Sequence, residues 1–341
     1  MTNSPSSVPP SSQPKPGTVD RRALLVGGGA AAAGLLAVGR IRSMQRTRSE
    51  VFIARNQRYD GPTSRTILDG LSAVGFDAAA LRGKKVLLKP NLVEPNRDVP
   101  HMTTHPDLLA AAAEAFLSLG AQVAVGEGPG HMRDTEEAVS QSGLRERLDA
   151  MKLSFRDLNY EDVAWSKNRG RASSLDGFWF PRSVAEADLV VSMPKLKTHH
   201  WMGMTASMKN LYGVIPGCKY GWPKNVLHHH GIAETVFDIN ASLPKTIGIV
   251  DGIDCMEGDG PILGTKKAMG LILVGANLAA LDATVARIMQ LDPAKVPYLG
   301  YAADRLGPID DDYIEQRGEA WRPLSSRFEI VAKPHLLAMR A

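Results

Sequence analysis

Six short apolar runs, spaced along the chain by longer amphipathic stretches, restrict what this sequence can fold into more than any other feature. The runs are VFIA at 51–54, KVLLK at 85–89, AQVAVG at 121–126, DLVVSM at 188–193, TIGIVD at 246–251 and GLILVG at 270–275. Amphipathic stretches lie at about 63–75, 106–119, 134–150, 231–242, 279–290 and 294–305. Runs this short suit strands and the longer stretches suit helices, and their alternation is the pattern of an α/β fold. Several runs are apolar at consecutive positions, which a strand needs when both of its faces are covered. The expectation is a mostly parallel sheet with helices on both faces, in a single α/β domain over 51–341. Residues 151–182 break the rhythm. LSFRDL and GFWFPR read as strands with Asp176-Gly177 as a turn, so a small β insertion is predicted there. Beyond Pro308 the pattern weakens.

Charge narrows the partners. The chain has 40 basic and 36 acidic residues and a formal charge of +4. Residues 1–50 hold Lys15, Arg21, Arg22, Arg40, Arg42, Arg46 and Arg48 against Asp20 and Glu50, so this tail carries +5 and the remainder −1. Nucleic-acid binding calls for a basic stripe on the folded body, and none is expected here. The tail has a grammar of its own: a Ser/Pro-rich lead, the pair Arg21-Arg22, then ALLVGGGAAAAGLLAV. Through Arg21, Arg22, Leu24 and Leu25 it resembles a twin-arginine export signal. The resemblance implies passage through the twin-arginine translocase to the periplasm or cell envelope. The apolar run is short for a span of about 20 residues. Small residues at 37–39 offer a cleavage point, and an uncleaved anchor is the alternative.

Only two cysteines are present, Cys218 and Cys255. An exported chain permits a disulfide between them. Two thiols fall short of the four that an ordinary iron-sulfur cluster requires, so an intrinsic cluster is not expected.

Four of the predicted strands run directly into polar segments: LLKPNLVEPNRD, AVGEGPGHMRD, SMPKLKTHHWMG and IVDGIDCMEGDGPILG. In a parallel sheet these leave from the carboxyl edge, where open α/β folds bind ligands. One lysine there is ordinarily a solvated charge. Lys89, Lys195, Lys197 and Lys209 together point to a carboxylate or phosphate ligand. GEGPG, with Gly128 at its centre, follows a strand and precedes a helix, so its backbone N–H groups could add to an anion cradle. Asp251, Asp254, Glu257 and Asp259 supply the opposite sign. They could hold a hard divalent cation or pair with the lysines. Gly258, Gly260 and Gly264 suit positive φ in a long turn. Histidines form a third set: His199 and His200 beside the lysines, His101 and His105 after KPN, and His228 to His230 opening a predicted helix. His105 before Pro106 reads as a helix-entry residue. No spaced pair matches a zinc motif, and His199 is the strongest single candidate as a ligand or acid–base group. GPILGTKK has the wrong glycine spacing for a phosphate-binding loop.

In order and spacing, KVLLKPNLV, GEGPG, ADLVVSMPKLKTHH, SMKNLYG, IVDGIDCMEGDGPILG and LAALDATVARIM resemble the family known as domain of unknown function 362, over about residues 84–307. The resemblance implies a family core of Lys89, Pro90, Asn91, Pro194, Lys195, Lys197, Thr198, His199, Lys209, Asn210, Asp251, Glu257, Gly258 and Gly260. Some relatives carry ferredoxin-like cysteine clusters, which this chain lacks, so the resemblance leaves an iron-sulfur protein as a partner. The combined expectation is an exported protein acting on a small anionic ligand. His199, Lys197 and Asp251 are the expected catalytic groups, and Lys89, Asn91, Lys195, Lys209, Asn210 and Gly128 the ligand-binding ones. His199, Asp251 and Glu257 are the expected ligands for a divalent metal. The alternatives are a non-catalytic binding protein and a redox accessory.

Overall fold

The computed structural model describes residues 48–131 and 133–341. The arginine pair and its apolar run lie outside the described residues, together with the export reading that rests on them. Among the described residues no helix is long and apolar enough to cross a membrane.

The strands are β1 (Ser49–Ala54), β2 (Lys85–Lys89), β3 (Gln122–Glu127), β4 (Phe155–Asp157), β5 (Val163–Lys167), β6 (Gly177–Pro181), β7 (Leu189–Ser192), β8 (Lys195–His199), β9 (Gly203–Thr205), β10 (Thr246–Glu257), β11 (Thr265–Gly275) and β12 (Ile314–Gly318). The helices that matter below are α1 (Thr63–Ala73), α2 (Pro106–Ser118), α3 (Thr135–Gln141), α4 (Leu144–Met151), α5 (Ser207–Asn210), α6 (Asn225–His229), α7 (Ile232–Ser242), α8 (Leu278–Ile288) and α9 (Pro297–Ala302).

The expected mostly parallel sheet is present. Its main path runs β12-β1-β11-β10-β7-β2-β3-β4, with β8 and β9 attached through β10. The run β10-β7-β2-β3-β4 is parallel throughout, and antiparallel pairing is confined to β1–β11, β10–β11 and β8–β9. Side chains alternate across a strand, and the apolar runs use both sides. Val86, Leu88, Leu189, Val191, Ile247, Ile249, Ile272 and Val274 share a core with Ile67 and Leu71 of α1, Leu108 and Phe116 of α2 and Leu148 of α4. Their neighbours Leu87, Val190, Val250, Leu271 and Leu273 face the other layer, built on Val236 and Phe237 of α7, Leu281 and Val285 of α8 and Leu299 of α9. Consecutive apolar residues thus serve two cores at once, which is why the runs lack polar interruptions.

Several expectations need correction. The stretch expected as one helix at 134–150 is two, because Gly143 takes a left-handed φ of 76° between α3 and α4. LSFRDL does form a strand, but as β4 it extends the main sheet beside β3, leaving only the β5–β6 hairpin as a separate sheet. That hairpin closes through a longer loop than Asp176-Gly177. Buried Asp238 holds the loop, accepting from the Asn168 amide and the Ala172 and Ser173 N–H groups at 2.7–2.8 Å. The strand β12 carries the polar sequence IEQRG and gives no apolar signal, yet it pairs parallel with β1. The largest correction concerns residues 195–199 and 251–257, expected as loops. They are strands: β10 continues to Glu257, pairing with β7 through Thr246–Gly248 and with β8 through Asp251 and Met256. Pro194 has no N–H and interrupts the ladder between β7 and β8, while its carbonyl accepts from the Asp251 N–H at 2.9 Å.

Gly70 of α1 lies against the sheet. A Cβ there would stand 2.7 Å from a Val274 methyl and 2.8 Å from the Phe52 ring. Alanine would gain about 1 kcal/mol of helix propensity, but overpacking of a tight core costs about 1–3 kcal/mol. Gly70→Ala is therefore expected to lower the urea unfolding midpoint; a raised midpoint would mean that this helix–sheet contact yields easily.

Candidate functional site

All four strand-end segments reach one cavity of about 170 Å³. Asn91 and Leu92 come from the segment after β2, Gly128 and His131 from that after β3, His199 to Trp201 from the end of β8, and Pro261 and Ile262 from beyond β10. The remaining wall is built by Thr205, by Lys209 and Asn210 of α5, by Tyr212 and Gly213, and by Lys224 and His228.

At the cavity floor Lys89 and Glu127 form a short ion pair, 1% and 2% exposed. The Lys89 ammonium also donates to the Pro90 carbonyl at 2.7 Å and to Asn210 Oδ1 at 3.2 Å, so its three protons are all used. Glu127 accepts in addition from the N–H of Leu92 at 3.3 Å and of Gly128 at 2.9 Å. The Gly128 amide expected to cradle an anion is thus turned to the neighbouring carboxylate. Burial draws the Lys89 ammonium below the ordinary lysine range, and Glu127 opposes that shift. Gly213 closes the pair: a Cβ would stand 2.4 Å from Glu127 Oε1 and 2.6 Å from Lys89 Nζ.

Lys195, Lys197 and His199 alternate along β8, and none is more than 7% exposed. The Lys195 ammonium lies 2.7 Å from Asp251 Oδ2 and donates to the Tyr59 hydroxyl at 2.9 Å. Tyr59 in turn donates to Asp251 Oδ1 at 3.0 Å, and the His105 N–H donates to Oδ2 at 2.9 Å. Tyr59 stacks on the ring of His105, which caps α2 as expected for a helix-entry residue. Lys197 donates to the carbonyls of Met102 at 2.8 Å and Pro261 at 3.2 Å, and burial holds its ammonium well below the ordinary range. None of Lys195, Lys197 and Asp251 lines the cavity.

The residues expected to hold a divalent metal do not fit one. Asp251 is committed to Lys195, and Glu257 pairs with Lys267 at 3.0 Å while accepting from the Glu329 N–H at 2.9 Å. Among the described residues no three His, Cys, Asp or Glu side chains gather as a cation site. Gly258 has the positive φ expected of it, 84°. Gly260 and Gly264 are required instead by close approach, with Thr198 O 2.1 Å and Glu257 O 2.4 Å from where a Cβ would stand. Cys218 and Cys255 are unpaired thiols, the first exposed and the second buried.

Lys209 is different. It reaches the cavity from α5, which Asp282 of α8 anchors by accepting from the N–H groups of Ser207 at 2.7 Å and Met208 at 2.9 Å. Burial pushes that carboxyl up to about 7. Among the described residues the Lys209 ammonium has neither a hydrogen bond nor an ion pair, and its surroundings lower it to about 8. Three buried oxygens on the same cavity, Asn91 Oδ1, Thr205 Oγ1 and Tyr212 Oη, also have no hydrogen-bond partner among the described residues.

Imidazoles complete the site. His199 Nδ1 accepts from the N–H groups of Trp201 at 3.1 Å and Met202 at 3.4 Å, so Nε2 carries the proton. Burial first, and the Lys209 charge second, hold this ring well below the ordinary histidine range, so it stays neutral. A neutral imidazole fixed in this way donates through Nε2 and has no free lone pair with which to take a proton. His228 has no such bond. It packs against Tyr212 and Trp201, and the same two causes lower it.

The cavity therefore gathers Lys89, Asn91, Gly128, His199, Lys209 and Asn210 of the sequence-predicted residues and leaves Lys195, Lys197, Asp251 and Glu257 outside its lining. Sequence reasoning passed over Glu127, Lys224, Thr205 and Tyr212. GEGPG holds Glu127 in plain view, but its partner Lys89 lies on another strand. Lys224 follows Trp222-Pro223, with only its own charge as a signal. It is 2% exposed, donates to the carbonyls of Gly128, Gly213 and Ile215, and burial lowers it to about 7. The triplet His228–His230 ends α6 rather than opening a helix.

Removing one partner of a buried pair leaves an uncompensated charge, at about 3–5 kcal/mol, while an apolar replacement of both is often near neutral. Glu127→Leu is expected to lower stability by about that amount, and Lys89→Met with Glu127→Leu to recover most of it. Urea unfolding of both variants checks this; a double variant as unstable as the single one would show that the pair is needed for more than charge balance.

The family model described as a domain of unknown function, DUF362, matches residues 86–287. A thylakoid-associated protein of Synechocystis sp. is 31% identical over 265 residues, covering 75% of this chain and 79% of its own length. Among solved structures, the lactate racemase apoprotein of Thermoanaerobacterium thermosaccharolyticum aligns over 72% of this chain and 58% of its own, at 16% identity and a TM-score of 0.40. That last likeness is too loose to bear on activity. Family match and relative agree on the same conclusion: the chain belongs to the DUF362 family, whose function is not assigned.

Proposed function

We propose that the cavity binds a small carboxylate or phosphate and that the protein is an enzyme acting on it by proton transfer. The observation that carries this reading is the unpartnered ammonium of Lys209. Every other buried lysine at this edge has oxygen ligands of its own, and a half-buried ammonium without one is stabilised by an arriving anion. In this reading Lys209 supplies the charge and the Nε2–H of His199 donates a second bond. The unpaired Thr205 hydroxyl can donate a third. His228, neutral and without a hydrogen bond among the described residues, is the group free to accept a proton.

Export through the twin-arginine translocase belongs to the same proposal and rests on Arg21-Arg22 and the apolar run after it. The thylakoid association of the Synechocystis relative supports a place at or beyond a membrane. An iron-sulfur partner rests on the family resemblance alone.

Calorimetric titration with inorganic phosphate and with acetate tests the binding. A charge-assisted hydrogen bond contributes about 1.5–3 kcal/mol, so Lys209→Met is expected to weaken binding by about tenfold or more. Affinity needs the protonated amine, whose pKa is about 8. It should be flat below that pH and fall about tenfold per unit above it. Lys209→Arg should abolish the fall, because arginine stays charged. Binding that ignores both substitutions would remove the proposal. Product formation that His228→Gln abolishes would separate an enzyme from a carrier, and binding without any product would leave a carrier.

A further inference from the structure

Five aromatic rings form a continuous arc on the cavity wall. His199 and His200 lie 5.0 Å apart between centroids, His200 meets Trp201 edge-on at 4.9 Å, Trp201 meets His228 edge-on at 5.8 Å, and His228 lies nearly parallel to Tyr212 at 6.0 Å. All five line the cavity that holds Lys209. The Phe178–Phe180 pair, 5.8 Å apart, is core packing by contrast, 0% and 2% exposed. The arc is not sealed in this way, since Trp201 is 47% exposed and His228 is half-buried. The rest of the rim continues the apolar surface with Leu92, Val93, Pro223, Ile232 and Ile262.

An inorganic anion on Lys209 would leave this whole surface in water. A large half-open indole beside apolar neighbours is the surface a flat ring covers, and offset or edge-on ring contacts add to what burial of the area contributes. The charges also suit such a ligand. With the imidazoles held neutral, Lys209 offers its charge at one place and the arc remains a stacking surface.

We infer that the ligand is an aromatic anion, its ring lying against the arc of Tyr212, His228, Trp201 and His200 and its carboxylate or phosphate on Lys209. The inference rests on the anion-binding reading above and adds the body of the ligand to it.

The test compares probes matched in charge and differing in the ring: benzoate against acetate, and phenyl phosphate against inorganic phosphate. Each is titrated calorimetrically into the full chain and into Trp201→Ala and Trp201→Phe, below the Lys209 pKa of about 8. Trp201 is exposed enough for both variants to fold. The expected result is that at least one ring-bearing probe binds about tenfold or more tightly than its partner. Trp201→Ala should remove most of that advantage and Trp201→Phe restore part of it. Equal affinities within both pairs would overturn this inference and leave the anion reading standing, as would a ring advantage that Trp201→Ala does not touch. If no probe of either kind binds, the anion reading fails and this inference with it.

Discussion

Ammonium groups placed out of water need oxygen around them, and the carboxyl edge of this sheet is organised by that need. Lys89 is answered by Glu127, Pro90 and Asn210, and Lys195 by Asp251 and Tyr59. Lys197 takes two backbone carbonyls and Lys224 three. These bonds tie β2 to β3, β8 to β10, and the segment after α5 back to the loop after β3. An unpaired ammonium is expensive at such depth, so each attachment is strongly enforced. Lys209, less deeply buried than these four, has no oxygen partner among the described residues.

The division between structural and available lysines could not be read from the sequence. Lys89, Lys195, Lys197 and Lys209 look alike when each follows an apolar run, and partners such as Glu127 and Asp251 come from distant segments. The sheet and its two helical layers were legible, because Leu87 and Leu88, or Val190 and Val191, announce two buried faces by being adjacent. Convergence of four segments at one edge followed from parallel topology alone. What the pattern concealed was β8. Lysine at alternate positions of a strand reads as solvent, and only the oxygens supplied by Met102, Pro261 and Asp251 make those positions interior. The edge strand β12 was hidden for the converse reason: IEQRG has polar side chains and pairs through its backbone.

His199 shows how local structure narrows what a side chain can do. As a bare sequence position it suits either direction of proton transfer. Once the backbone of the following turn holds Nδ1, the ring is fixed as a donor, and burial first, with the charge of Lys209 second, keeps it from becoming a cation. His228 is not fixed in this way: among the described residues it is held by rings rather than by hydrogen bonds.

The alternation of Lys195, Lys197 and His199 along β8 couples recognition of the correct fold to competence of the site. A shift of β8 by one residue would exchange its two buried faces, driving Lys195, Lys197 and His199 into the apolar layer that Leu196 occupies. Leu196 would leave its apolar layer, Asp251 would lose its cation, and the cavity would lose its fixed imidazole together. A chain misthreaded in this way would fail by several independent routes at once, so the strand acts as a proofreading element: it is stable only in the arrangement that also completes the cavity.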